Sequence, residues 1–420
     1  MEIEYFYSFI YILISLVILK FFYNKRIVSI ISPVDMYILF FSAVIILNIL
    51  YRYYPKDQKF DMYNLDTFNN KNFPAQLNVF FRMMTLFLIG VFIFSIRKLK
   101  YLRLSSQKIE IINIKKAPFN YVFLKNAMIF LLYTCIILVA IDYKSDFFYR
   151  INYIPHKSSV LKSIYTVLLI VLSILAAISF NKNKIVSFFT ITIVLLIGIG
   201  LGSRMATVNL ITFIFSYSFM IKDKRTKIKY FFVWIPIIIF FFGYNIALRL
   251  ESNTHGLVPY LNIILSKPDV IFHNTLFNIY YTFIFGFVAT SETIKLYQEN
   301  ISNLLTCINP LPGSLTNWYL FSQKLRINIY APFTAIGEMA KFPVFSFFYY
   351  IFLGYYFSFC DFYIKTAIIA KRYFAPAIII ILLCLFILFS FEYNLRSSIR
   401  YIYYSAFILF LSKIKINGKS

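Results

Sequence analysis

Apolar residues in this chain come in long unbroken runs, separated by short polar or basic stretches. Runs such as Phe6–Leu19 and Ile185–Leu201 show neither the alternation of a half-buried strand nor the one-sided stripe of a surface helix. Segments this long and apolar predict helices that cross a membrane, where every backbone polar group must be satisfied within the helix. The pattern predicts about eleven spans. They lie near 5–22, 34–51, 79–96, 121–141, 160–180, 185–201, 205–221, 230–248, 343–363, 373–391 and 399–412. The fold class expected is an all-α polytopic membrane protein in one membrane domain over 1–420. One long interval, 249–342, falls between the eighth and ninth spans and is expected to carry short helices. Within it, the apolar stretch Ile279–Thr290 suits a re-entrant or interfacial helix.

Composition agrees. Only 14% of the 420 residues are charged and 60% are hydrophobic, against about 25% charged in soluble domains. The start, Met1-Glu2-Ile3-Glu4, is acidic where a cleavable signal needs basic residues. Cys135, Cys307, Cys360 and Cys384 stand apart, without metal-ligand or disulfide-framework spacing, and read as small apolar fillers.

The net charge of +25 raises the question of nucleic acid, and its distribution removes it. With the N-terminus outside, the inner loops and their flanks carry 23 of the 42 Lys and Arg residues and four of the 17 acidic ones. Arg97–Lys116 and Lys222–Lys229 hold seven and five basic residues. These are orientation signals of a cytoplasmic membrane protein, with the C-terminus inside and the interval 249–342 outside.

Arginines at the outer helix ends carry the candidate chemistry. Gly198-Ile199-Gly200-Leu201-Gly202-Ser203-Arg204 turns between two spans with almost no loop, placing Arg204 in the first turn of an outward-facing helix. Such an end, with free N–H groups and a favourable dipole, suits an anion. Arg396 and Arg400, four apart before the last span, share one helix face. Arg249 and Arg82 can join them. The set implies an anionic ligand such as a lipid-linked phosphate, weighed against ion pairing with Glu392 and Glu338.

The G-S-R hairpin, the long external segment with Asn309-Pro310-Leu311-Pro312-Gly313-Ser314 and Ala335-Ile336-Gly337-Glu338, and a late Arg-rich helix start resemble the O-antigen polymerase (Wzy-type) family. The resemblance covers roughly residues 185–412; the first 180 residues match only in hydropathy. The sequence departs from the family after Glu338, where Met339-Ala340-Lys341-Phe342-Pro343 replaces a glycine-containing stretch. The resemblance implies a glycosyltransferase that polymerises undecaprenyl-diphosphate-linked oligosaccharides at the outer face of the bacterial inner membrane. A flippase and a chain-length regulator would be its partners. Arg204, Arg249, Arg396 and Arg400 would then hold the diphosphate, and Glu338, His273 or His255 would act as base or orienting group. Trp318-Tyr319 and Tyr280-Tyr281 can stack on sugar faces or serve as interface aromatics. No cofactor is expected. Asp57, Asp61 and Asp66 are four and five apart, and Asp142 and Asp146 four apart, so no adjacent acidic pair marks a metal site. An O-antigen ligase and a lipid-linked oligosaccharide flippase or transporter are the competing readings. Charges concentrated at outer helix ends, with no repeated halves, favour the transferase over the transporter.

Overall fold

A computed structural model describes residues 32–52, 73–105, 121–152, 159–202, 205–221, scattered positions of 226–244, 254–311, 313–316, 318–328, 331–369 and 372–413. Among these residues the regular structure is helical, with two isolated β-bridges and no strand. The helices are α1 (Pro33–Arg52), α2 (Phe73–Ser105), α3 (Tyr121–Tyr143), α4 (Ser159–Ser179), α5 (Lys184–Gly200), α6 (Met205–Ser218), α7 (Leu257–Ser266) and α8 (Pro268–Ile279). A π-helical segment follows at Tyr280–Phe285, then α9 (Gly286–Leu296), α10 (Ile301–Ile308), α11 (Trp318–Lys324), α12 (Ala335–Ala340), α13 (Pro343–Ile369), α14 (Phe374–Glu392) and α15 (Leu395–Lys413).

Six of these helical stretches are long and apolar enough to cross a membrane: Pro33–Arg52, Gln76–Arg97, Tyr121–Phe147, Val160–Ser179, Pro343–Ile368 and Phe374–Glu392. The chain is an all-α, multi-pass membrane protein. Of the five other expected spans, α5 and α6 are helical but short, with 17 and 14 residues. The last, within α15, opens on the polar turn Leu395-Arg396-Ser397-Ser398 and is not among the six. The remaining two, 5–22 and 230–248, lie outside the described residues or are described only at scattered positions.

The chain divides into two compact units. One comprises 1–115, 280–370 and 378–420; the other comprises 116–279 and 371–377. The long interval of the sequence is thus shared: residues up to Ile279 belong to the second unit and those from Tyr280 to the first.

In the first unit, α2 and α13 meet at two glycines. A Cβ on Gly90 would run into the Ile351 carbonyl, and one on Gly354 into the Phe87 carbonyl. Close backbone approach at small residues is how helices associate in lipid, where apolar surface has nothing to gain by leaving its solvent. Aromatic rings fill the space beside this contact. Tyr37 stacks on Phe87 with centroids 3.9 Å apart, and Phe80 on Phe287 at 5.0 Å. Two polar side chains then fix the part of the long interval that opens the first unit's share of it. The Asn48 amide donates to the Phe283 carbonyl at 2.7 Å, and the Gln76 amide to the Ser291 hydroxyl. A second apolar core forms outside the spans, from Tyr297, Leu304, Cys307, Trp318, Phe333, Met339 and Leu395. The apolar content of this stretch therefore serves a packed body of short helices.

The second unit packs α3, α4, α5 and α6 around Cys135, Tyr165, Leu169, Leu172, Ala176, Val194 and Leu210. The opposite face of α3 stays apolar and exposed at Phe123, Phe130 and Ile137, as a lipid-facing surface requires. Ser179 and Ser187 exchange a 2.9 Å hydrogen bond at the tight connection between α4 and α5. Leu257 and Tyr260 of α7 join Ile199 and Ala206 in a smaller core beside the glycine hairpin.

Candidate functional site

In the first unit, the turn between α14 and α15 is where the interspan body is anchored. Thr334 caps α12 by accepting the Gly337 N–H at 3.1 Å, and its hydroxyl meets that of Thr290 at 3.0 Å. The Thr334 N–H donates in turn to the Thr293 hydroxyl at 3.1 Å. Gly337 permits this seat, because a Cβ there would lie 2.5 Å from Thr293 Cβ. The Ala335 N–H donates to the Tyr393 carbonyl at 2.8 Å, joining α12 to the turn after α14.

One position further along α12, Glu338 has no exposed surface. Its Oε2 accepts the Leu395 N–H at 3.0 Å, and its Oε1 has no hydrogen-bond partner among the described residues. Burial pushes its pKa up to about 8, against the opposing influence of the Leu395 N–H and the Cys307 thiol. The carboxyl is therefore poised between its charged and neutral forms near neutral pH, the condition that suits proton transfer. The same burial, with the Glu338 charge second, raises the Cys307 thiol and keeps it unreactive. Among the described residues no ion pair reaches Glu338.

Arg396 is also without exposed surface. Its guanidinium donates to the Thr306 carbonyl at 2.7 Å, the Leu311 carbonyl at 2.6 Å and the Thr316 hydroxyl at 3.0 Å. It stands over the Trp318 ring, 4.7 Å from the centroid. These acceptors flank the Pro/Gly-rich passage, so the arginine clamps that loop onto α15. The helix end beside it is occupied as well. Glu338 takes the Leu395 N–H, and the Asn394 side chain takes the Ser397 N–H at 3.0 Å. The acceptors that the sequence reading reserved for a ligand phosphate are here supplied by the chain itself. Arg400, one turn along the same helix, is half-buried and makes no hydrogen bond or ion pair among the described residues. Arg82 is exposed and only grazes the Pro343 carbonyl at 3.4 Å.

The remaining candidates fall in the second unit or outside the described residues. Arg204, with Ser203, and Arg249 lie outside them. His273 is exposed on α8. His255 is buried: its backbone pairs with that of Arg150 through two 2.7 Å bonds, and its Nδ1 lies 3.1 Å from the Tyr260 hydroxyl. Burial and the nearby Arg150 charge lower its pKa, which keeps the ring neutral. Gly256, beside it, holds φ +116°, and a Cβ there would meet the Phe148 carbonyl at 2.6 Å.

Arg150, which the sequence reading passed over, does for the glycine hairpin what Arg396 does for the Pro/Gly passage. It donates to the Gly200 carbonyl at 2.8 Å and the Leu201 carbonyl at 3.3 Å, between the rings of Tyr143 and Tyr260. A lone arginine in a short loop carries no local signal of that role. Glu392, which the sequence offers as an ion-pair partner, stands at the C-terminus of α14. Its signal was position: an acidic side chain at a helix C-terminus opposes the dipole and is unfavourable there.

In the first unit, the interspan body thus offers a buried carboxyl at Glu338 and a clamped Pro/Gly passage, with the half-buried Arg400 on α15. Compared with known proteins, the chain matches no family model, and no curated protein or solved structure is similar to it.

Proposed function

We propose that the chain is a membrane glycosyltransferase of the O-antigen polymerase type, extending an oligosaccharide carried on a polyprenyl diphosphate at the outer face of the bacterial cytoplasmic membrane. The observation that carries this reading is Glu338: a fully buried carboxyl outside the membrane-crossing helices, with one oxygen unpartnered among the described residues and a pKa raised to about 8. Buried polar atoms without partners are rare enough in folded proteins to ask for a role.

The chemistry joins two such substrates without a redox step. An acceptor hydroxyl oxygen attacks the anomeric carbon of the donor glycan while the bond from that carbon to the diphosphate oxygen breaks. The leaving diphosphate keeps the bonding electron pair, and the hydroxyl proton passes to a base. Positive charge beside the leaving group lowers the barrier, because that is where negative charge develops. Arg400 is the arginine of α15 that remains available for this; Arg204 and Arg249 are the further candidates from the sequence. Arg396 supports the site indirectly, by holding the 306–316 passage in place.

The test is polymerisation by the purified full chain in lipid nanodiscs, supplied with a polyprenyl-diphosphate-linked repeat unit. The expected product is a ladder of multiples of the repeat, lost in Arg400→Ala and Glu338→Ala. If the wild-type protein instead passes the glycan to a non-repeat lipid acceptor, the ligase reading replaces this one. If it transports the intact lipid-linked unit without forming a glycosidic bond, the transporter reading does.

A further inference from the structure

A pocket in the first unit is lined by Tyr281, Phe285, Gly286, Ala289, Pro332, Phe391 and Glu392. Four features single it out. Its wall includes the π-helical turn Tyr280–Phe285, a rare distortion that occurs mostly at functional sites. The half-buried Tyr281 is held there by stacking on the buried Phe285 at 5.2 Å, an aromatic side chain of the kind that receives a sugar face. Gly286 lets the Phe391 ring close on the segment, since a Cβ would lie 2.5 Å from that ring. Glu392, the last residue of α14, accepts the Thr282 hydroxyl at 3.2 Å through Oε1, which fixes the direction of its carboxylate. That carboxylate sits at the negative end of a helix, where the dipole disfavours it. The space left inside the pocket is that of one water-sized group, which is also the size of a hydroxyl.

We propose that this pocket takes one hydroxyl group of the acceptor sugar, held against Glu392 while the sugar ring lies outside it on Tyr281, and that Glu392 is the base for transfer. The inference rests on the glycosyl-transfer reading and names the residue that takes the proton. The acceptor hydroxyl proton moves to the Glu392 carboxylate as its oxygen forms the bond to the anomeric carbon; the diphosphate leaves with the electron pair of the broken bond. Glu338, buried behind the Leu395 N–H, then acts as a positioning residue for the α14–α15 turn that carries Glu392.

The experiment uses the purified full chain and two readouts. Turnover of the polyprenyl-diphosphate-linked repeat unit is compared in wild type, Glu392→Gln, Glu392→Asp and Tyr281→Ala. Binding of the lipid-free repeat-unit oligosaccharide is measured by saturation-transfer NMR in wild type, Glu392→Gln and Ala289→Leu, which fills the pocket. Glu392→Gln is expected to lower kcat at least about 100-fold. Glu392→Asp is expected to keep part of that rate, which separates loss of the base from loss of the fold. Tyr281→Ala is expected to raise KM for the acceptor more than it lowers kcat. Near-normal turnover in Glu392→Gln, or undiminished oligosaccharide binding in both Glu392→Gln and Ala289→Leu, overturns the pocket. If the wild type binds the oligosaccharide through these residues but forms no polymer, the pocket stands as a sugar site and the polymerase reading falls.

Discussion

Glu338 Oε2 accepts the backbone N–H of Leu395 at 3.0 Å, fastening the short helix α12 to the first residue of α15. The bond consumes a donor that a helix start usually leaves to water or to a ligand. It also buries a carboxyl whose other oxygen finds no partner among the described residues. One contact thus occupies a donor at the α15 start and leaves a buried carboxyl that holds its proton tightly.

The first consequence concerns pH. The Glu338 pKa is raised from an ordinary 4.5 to about 8, so the folded state holds this proton more tightly than the unfolded chain. Its contribution to stability is complete below about pH 4.5 and is lost as pH rises through 8. Glu338→Gln keeps an acceptor for the Leu395 N–H and cannot ionise. Thermal melts of this variant should match wild type at low pH and exceed it at pH 8 and above. A wild-type melting temperature that does not fall between pH 5 and 8 relative to the variant would contradict the buried-proton account.

The clamp at Arg396 makes a different prediction. Arg396→Ala leaves two carbonyls and a hydroxyl without their donor, at about 1–3 kcal/mol for each group that stays buried. Arg396→Lys keeps the charge but loses the fork that reaches three acceptors. Both variants should speed hydrogen exchange across residues 306–318, and Arg396→Ala should shift Trp318 fluorescence by removing the cation from its ring. Unchanged exchange in that passage would remove the clamp.

Gly90 and Gly354 set the distance between α2 and α13. Replacing either with Val drives a side chain into backbone of the facing helix, which cannot move aside as a flexible side chain can. Overpacked cores lose about 1–3 kcal/mol, and these sites should lie at or beyond that range. The expected readout is a sharp fall in the yield of monodisperse protein after detergent extraction, with Gly313→Ala, whose nearest contact is 3.3 Å from Trp318, as the mild comparison.

His255 responds to pH in the opposite direction. Its pKa is lowered from 6.5, so its contribution is present above 6.5 and lost as pH falls through the lower folded value. Acid should loosen the Arg150–His255 pairing and the Gly200–Leu201 hairpin carbonyls that Arg150 holds. Arg150→Ala should abolish this local acid sensitivity, since the hairpin is then released at every pH. Proteolysis within residues 150–256, followed from pH 7 to pH 5, reports it directly.

Sidedness has its own measurement. A reporter fusion after Asn300 should read as external, in line with the basic Arg97–Lys116 and Lys222–Lys229 loops facing the cytoplasm. Cytoplasmic activity at that fusion would invert the orientation and place the Glu338 and Glu392 sites on the other face.

Membrane class and helical architecture were legible in the residues alone. Apolar runs are a one-dimensional signal: a lipid-crossing helix satisfies its backbone internally, so each run predicts its own structure without reference to the rest of the chain. Positions such as α1, α3, α4, α13 and α14 follow from that rule, and the short, apolar α5 and α6 strain it. Side-chain roles did not follow in the same way. Arg396 and Arg400 are alike in sequence, one turn apart on one helix. Only the return of Thr306, Leu311 and Thr316 to α15 saturates the first and leaves the second uncommitted. Glu338 and Glu392 likewise differ through what lies across from them: the Leu395 N–H and an apolar seal for one, a π-helical turn and a water-sized pocket for the other. The runs of the sequence determined which segments enter the membrane, because hydropathy is local. Which charges remain available for chemistry was decided by the tertiary structure, because a charge is spent or kept according to partners far away along the chain.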